Sequence, residues 1–414
     1  MLKERGFVLK RSDFPAFKLA LTANPDFYSA RNTLAATLLN RTVQMYVPDY
    51  SPKEMEWIIQ ARYGINNAKH PERAVDLVEN FYVPIQKSLA SGKLGYEQKD
   101  KYEFNLRSLM RVSALYKDNL ALYAKVHAGK AVDDRTDVLL FARAIWEGFG
   151  APMRTDADQQ IVWGFLDSGL GLDNDYGIKL EDLIPQVRGI RLDAKAREVV
   201  FEEDLLPLRL PLKDGGKFVP PESFDIAPTQ QAFNALYWMT RRLLRNEGML
   251  LVGHTAAGKT TAHQYLHRLH HASLFYANLS SETADETLSG GYGPDPAKAD
   301  EQKLYAGLLE QAGKAYKGKG ARVLLDEYNL SSIVEWTNTA EDDHILVTPE
   351  GPVQLGPDTV IDGAMNMPDY QSRILLSPAK RGRMWELYVA EPGAGEVKLR
   401  VGYVLKRLLE GGLP

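Results

Sequence analysis

One stretch limits what this chain can fold into more than any other. Residues 249–260 read Met-Leu-Leu-Val-Gly-His-Thr-Ala-Ala-Gly-Lys-Thr. An apolar run, Met249–Val252, enters a loop spaced as Gly253, four residues, then Gly258-Lys259-Thr260. That is the spacing of a phosphate-binding loop between a strand and a helix. The glycines let successive backbone N–H groups curl around one anion, and the following helix adds the positive end of its dipole. Lys259 is then expected at the β- and γ-phosphates of ATP, and the Thr260 hydroxyl on Mg²⁺. His254, Thr255, Ala256 and Ala257 fill the loop, and Thr261 continues into the helix, so residues 253–261 form the expected nucleotide cradle. Ala256 and Ala257 fit there on the expectation that their φ angles are negative.

A phosphate loop needs a parallel sheet behind it, and the downstream sequence supplies candidate strands at Leu274–Asn278, Arg322–Asp326 and Thr359–Ala364. The third strand ends in Asp326-Glu327. In a P-loop ATPase the first carboxylate holds Mg²⁺ and the second polarises the attacking water. Asn366 ends the fourth strand, predicted to lie between the phosphate-loop strand and the Asp326 strand. There its amide can orient water or touch the γ-phosphate. Residues 300–315 are predicted helical, and 347–357 an inserted hairpin. Thr229–Arg245, ahead of the loop, is an amphipathic helix with Phe233, Leu236, Tyr237, Leu243 and Leu244 on its apolar face.

Upstream, Ser51-Pro52 starts a helix with a good N-cap and a proline at its first position, and the periodicity stays helical to about Gly150. Residues 151–227 change character, with Gly169-Leu-Gly171 and Pro220-Pro221 suggesting a linker with short strands. Residues 16–47 read as a strand-helix-strand unit that repeats a later one. At a constant offset of 342 residues, Asn366 matches Asn24, Arg373 matches Arg31, Arg383 matches Arg41, and Tyr388-Val389 matches Tyr46-Val47. A repeat of that length suits tandem domains rather than a solenoid. The chain is therefore expected to hold the end of one module (1–50), a helical lid (51–150), the linker (151–227) and most of a second module (228–414), as a fragment of a longer protein.

These residues resemble the AAA+ ATPases, and within them the dynein-related branch. The resemblance rests on Gly253–Thr260, Leu325-Asp-Glu-Tyr-Asn329, Gly363-Ala-Met-Asn366 and Leu376-Ser-Pro-Ala-Lys-Arg-Gly-Arg383. Asn278-Leu-Ser-Ser-Glu-Thr283 leading to Leu288-Ser-Gly-Gly-Tyr292 adds to it. It implies an α/β fold: a P-loop AAA+ parallel sheet with helices on both faces, preceded by a helical lid and a partial upstream AAA+ unit. It implies Arg107, in Phe104-Asn-Leu-Arg107, as a sensor 2 residue, and Arg383 and Arg41 as arginine fingers. Asn24, Arg107 and Arg383 would then converge on the first module's nucleotide. It further implies ATP hydrolysis with Mg²⁺, held by Thr260 and Asp326. The work would be remodelling of a protein or ribonucleoprotein assembly, as in ribosome biogenesis. Turnover would be slow without adjacent AAA+ modules as partners, and the compartment intracellular, nuclear or nucleolar for a ribosome-assembling member and cytoplasmic otherwise. The alternative is a non-hydrolysing module that binds nucleotide to hold a larger ring together. A small-molecule phosphotransferase is disfavoured by the sensor and finger residues. His254, Ala256 and Ala257 depart from the branch's usual loop, as do Met384 and Thr42 from the phenylalanine that commonly follows the finger.

Composition excludes several other classes. Fifty basic against fifty-four acidic residues leave a net charge of −4, without the basic excess of a nucleic-acid binder. There is no cysteine, hence no disulfide or thiolate metal site. No apolar run reaches the length of a membrane span. His263, His267, His270 and His271 share a helix at spacings that could bind a metal, but they lack a nearby carboxylate, and packing against the sheet is the simpler role. Gly290–Gly293 reads as a turn or a substrate-touching loop, and Lys314, Lys317 and Lys319 as a solvated face.

Overall fold

A computed structural model of the chain describes residues 43, 45–95, 102–128, 130–284, 286–295, 298–315, 321–367, 370 and 373–409. Contacts divide the chain into Met1–Tyr46 and Val47–Pro414. The first unit lies almost wholly outside the described residues. The expected upstream strand-helix-strand unit, with Asn24 and Arg41, therefore falls outside them too.

The second unit begins with helices. Ser51 and Glu54 form a capping box ahead of α1, Pro52–Tyr63, which ends at Gly64 in the left-handed region. Each device satisfies backbone groups that a helix end leaves open. Residues 73–90 form α2, whose middle, Asp76–Tyr82, is π-helical. Asn105 caps α3, Leu106–Val126, by accepting from the N–H groups of Arg107 and Ser108. Residues 134–150 form α4, and Thr155 caps α5, Asp156–Leu170. Ile59, Leu77, Phe81, Leu109, Val112, Tyr116, Phe141 and Phe149 share one buried core with Val162, Leu166 and Leu183. The helical unit thus extends to Leu183, which corrects the expected boundary at Gly150 and the linker beyond it. Residues 156–183 alternate polar and apolar groups around helices that end on glycines in the left-handed region, and those glycines had suggested loops.

Short strands do follow. Gly189–Asp193 (β1), Glu198–Glu202 (β2) and Leu208–Pro211 (β3) pair in an antiparallel sheet. Val199, Phe201, Leu208 and Leu210 pack on Leu236 and Tyr237 of α6, Gln230–Leu244. Leu244, predicted on the apolar face of α6, is 45% exposed. Arg241 and Arg242 are buried instead, where both guanidiniums reach the Glu147 carboxylate of α4.

The central sheet has strand order β12-β4-β11-β8-β5, all parallel. The strands are Met249–Gly253 (β4), Leu274–Asn278 (β5), Ala321–Asp326 (β8), Thr359–Met365 (β11) and Trp385–Val389 (β12). Met249 and Leu251 join the core under α6 and α7, Lys259–His270, while Leu250 and Val252 join the opposite core with Leu309 and Ala312 of α8, Leu308–Ala315. That alternation is the period of two of a strand covered on both faces. Gly291–Asp295 (β6) and Lys298–Tyr305 (β7) form a hairpin, so the helix expected from residue 300 begins only at Leu308. Ile345–Thr348 (β9) and Gly351–Gln354 (β10) form a second hairpin, which starts and ends ahead of the one expected over 347–357. Helix α9, Ala394–Leu409, closes the described chain.

Candidate nucleotide site

Sheet order sets the site. β11 lies between β4 and β8, with Met365 level with Val252 and Ala364 level with Asp326. The carboxyl ends of three adjacent strands therefore deliver Gly253, Asp326-Glu327 and Asn366 to one edge, where open parallel sheets bind ligands. A Cβ at Gly253 would stand 2.3 Å from the Val389 carbonyl oxygen, so only glycine lets the loop leave beside β12. Gly258, with φ of +97°, turns the loop into α7, whose first turn has no side-chain cap.

Ala256 corrects one expectation. Its φ is +65°, the left-handed region that costs an L-residue roughly 1–2 kcal/mol. Ala257 is not in that region and is buried. The two positions therefore separate. Ala256→Gly is expected to hold or raise stability by up to about 1 kcal/mol, net of glycine's greater chain entropy. Ala257→Gly is expected to lose about 1 kcal/mol. Urea midpoints read both, and equal losses would contradict the left-handed account.

Four side chains make a continuous chain of bonds. Lys259 Nζ donates to the carbonyls of Gly253 (3.0 Å) and His254 (2.7 Å) and to Asn366 Oδ1 (2.9 Å). Asn366 Nδ2 donates to Glu327 at 3.1 and 3.3 Å, and Arg373 Nη1 pairs with Glu327 Oε2. Beside them the Thr260 hydroxyl (2.7 Å) and the Tyr276 phenol (3.1 Å) both donate to Asp326 Oδ2, while Oδ1 accepts the Glu327 N–H at 2.9 Å. Burial pushes the Lys259 ammonium below its usual value, Asp326 and Glu327 pull it back, and Arg373 adds to the depression. Burial and the Asp326 charge raise the Tyr276 phenol to about 12, so it stays a donor at neutral pH. Asn329 locks the rear of the site. Its amide donates to the Asn366 carbonyl and its own carbonyl accepts the Ile374 N–H, both at 2.9 Å.

Thr260 and Asp326 juxtapose two hard oxygen donors at the phosphate loop. That suits Mg²⁺, which takes one or two protein oxygens and fills its shell with phosphate and water. Among the described residues no group of three or more His, Cys, Asp or Glu is placed to hold a metal, so the helical histidines form no such site. His254 lies at the loop surface, 3.2 Å from the Tyr370 hydroxyl. Thr255 is exposed, and Thr261 is half-buried on α7.

Arg107 and the turn that carries Arg383 come together at a second place. Arg107 donates to the Gly382 carbonyl (3.4 Å), and Arg111 donates to those of Arg383 (2.6 Å) and Met384 (3.0 Å). The Arg383 side chain binds Asp342 Oδ2 (2.8 Å through Nε) and the Ala379 carbonyl (2.6 Å). Arg107 of α3 thus touches the backbone of the turn that carries Arg383, whose own side chain is held by Asp342 and the Ala379 carbonyl. Arg111, Tyr276 and Arg373 were missed as site residues. Only Arg373 left a signal: it follows Asn366 by seven residues, as Arg31 follows Asn24.

Residues 248–384 match the family model of the AAA domain, dynein-related subfamily. Two curated relatives carry the name midasin. The one from Dictyostelium discoideum is 25% identical over 403 residues, 94% of this chain and 6% of the relative. The one from Giardia intestinalis is 26% identical over 204 residues, 48% of this chain and 4% of the relative. The chain thus spans only a small part of the relatives it matches. A crystal structure of a candidate ATPase from Cytophaga hutchinsonii aligns over 42% of this chain and 50% of its own, at 14% identity and a TM-score of 0.32. That score is too low to add to the fold argument.

Proposed function

We propose, from the premise that residues 248–384 are an AAA domain of the dynein-related subfamily, that this module binds ATP with Mg²⁺ and hydrolyses it. One observation carries the reading: the unbroken chain from Lys259 through Asn366 to Glu327, beside the Thr260–Asp326 pair. The phosphate loop and Lys259 hold the phosphates. Thr260 and Asp326 would hold Mg²⁺, which when bound would supply positive charge against the phosphates. Glu327 takes a proton from water as the water oxygen bonds to the γ-phosphorus. The bridging P–O bond to ADP breaks, and phosphate and ADP leave. Asn366 orients the water and Tyr276 keeps the Asp326 carboxylate in place.

The turn at Gly382–Met384, held by Arg107 and Arg111, supports a further part of the reading. Arg383 would serve as a finger for the nucleotide of an adjacent AAA+ module, with Arg107 on the same nucleotide. The coupled work we propose is remodelling of a protein or ribonucleoprotein assembly, of the ribosome-assembly kind implied by the resemblance. No described helix is long and apolar enough to cross a membrane.

Single-turnover hydrolysis of labelled ATP by the full chain tests this. Hydrolysis is expected to be slow, because a finger supplied by a neighbouring module contributes about 10³ to 10⁵ in rate. Glu327→Gln should lower it a further 10²-fold or more. Tight ATP binding with no hydrolysis above that of Glu327→Gln would favour the non-hydrolysing alternative, which the double engagement of Glu327 by Asn366 and Arg373 makes the competing account.

A further inference from the structure

The Glu327 carboxylate is engaged by donors on both oxygens: Asn366 Nδ2 reaches Oε1 and Oε2, and Arg373 pairs with Oε2. A carboxylate so held is a poor acceptor for a proton from water, because each donor stabilises its ionised form. If it is the base, something must draw a donor away. Asn366 is fixed from two sides, by Lys259 at its Oδ1 and by Asn329 at its carbonyl. Arg373 is the donor that can move. Its backbone is anchored next door, where Ile374 N–H bonds Asn329, but among the described residues its side chain makes the one ion pair with Glu327, and its buried Nε has no hydrogen-bond partner there. A guanidinium offers five donors in a planar fork suited to phosphate. Arg373 also bears on Lys259, lowering that ammonium's affinity for its proton. Like charges in one site repel unless an anion joins them; Glu327 fills that place here, and the further anion that Lys259 is placed to meet is a terminal phosphate.

We propose that Arg373 is a γ-phosphate-sensing residue, which restrains Glu327 in the ion pair seen here and transfers its guanidinium to the γ-phosphate of ATP, freeing the carboxylate to act. The assignment rests on the ATPase reading above and adds its control. ADP has no γ-phosphate and leaves Arg373 on Glu327, so the base is armed only when hydrolysable nucleotide is present.

The test compares binding of ADP and of the non-hydrolysable analogue AMPPNP, both with Mg²⁺, by calorimetry on the full chain. Glu327→Gln serves as the parent, so that repulsion of phosphate by a freed carboxylate cannot mimic the effect. Adding Arg373→Gln is expected to weaken AMPPNP about tenfold or more, the loss of a charge-assisted bond to phosphate, and to leave ADP within about twofold. Arg373→Lys should recover part of the loss. Equal weakening of ADP and AMPPNP would mean that Arg373 only supports the loop, and no weakening of either that it never reaches the nucleotide; each overturns the assignment alone. A parent that binds neither nucleotide overturns the ATPase reading and this assignment with it.

Discussion

Lys259→Ala is expected to weaken ATP binding by about a hundredfold, the upper part of the range for losing a hydrogen bond to a charged group. The geometry makes the lysine more than a charge on a tether. The residue is 7% exposed, and its ammonium sits between the Gly253 and His254 carbonyls and Asn366. It therefore closes the loop on itself and holds the Asn366 amide toward Glu327. Alanine removes the charge and also leaves two loop carbonyls without a donor. Lys259→Met loses the same charge and bonds but keeps most of the apolar stem, so it separates those losses from the loss of packing. Both variants should bind ATP poorly, and Lys259→Met should remain nearer to wild type in unfolding midpoint. Calorimetry showing wild-type ATP affinity in a folded Lys259→Met protein would remove the phosphate loop from the account.

The parts of the site legible in the sequence are those fixed by the chain's own spacing. Gly253, Gly258, Lys259 and Thr260 lie within one loop. Asp326 and Asn366 each end an apolar run, and a parallel sheet brings strand ends to one edge whatever the loops between them do. The residues that escaped reading are fixed by neighbours far away in the chain. Tyr276 reaches Asp326 only because β5 and β8 pair in register, Asn278 against Asp326. Arg241 and Arg242 look like the solvated end of an amphipathic helix until Glu147, from a helix 90-odd residues earlier, is placed beneath them. The helical unit was cut short at Gly150 because glycines that terminate helices read the same as glycines in loops. The left-handed φ of Ala256 had no sequence signal, since alanine ordinarily argues against it.

Acid should unfold this protein through the helix behind the phosphate loop. His263 and His267 of α7 are fully buried, and His270 is 7% exposed. Burial holds all three below the usual imidazole value of 6.5: His267 at about 3, His270 at about 4, and His263 well below. The charges around them deepen the effect. Arg322 of β8 opposes protonation of each, Lys213 opposes it at His270, His267 opposes it at His263, and His270 opposes it at His267. The bond from His267 Nδ1 to the His263 carbonyl and the Pro211 carbonyl near His270 act the other way, less strongly than burial. Because the folded values lie below the unfolded ones, the unfolded chain binds more protons below 6.5. Stability is then fully present above about pH 6.5 and is lost as pH falls toward the folded values. Each histidine contributes a slope of about 1.4 kcal/mol per pH unit in that window, so three give roughly 4. Against a total stability of about 5–15 kcal/mol, that is enough to unfold the domain between about pH 5 and 4. Asp362 of β11 faces the same cluster, with Oδ2 4.0 Å from His263 Nδ1, and burial raises its carboxyl. Its sign is opposite: below its folded value the native state holds its proton more firmly than the unfolded chain, which offsets part of the loss at the acid end. Urea unfolding at pH 7.5, 6 and 5 reads the slope, and His267→Leu, close in size and uncharged, should reduce it by about a third. A stability that stays level from pH 7 to pH 5, or a slope indifferent to His267→Leu, would mean that these imidazoles take up protons within the native fold, and that the layer between α7 and the sheet is open to water.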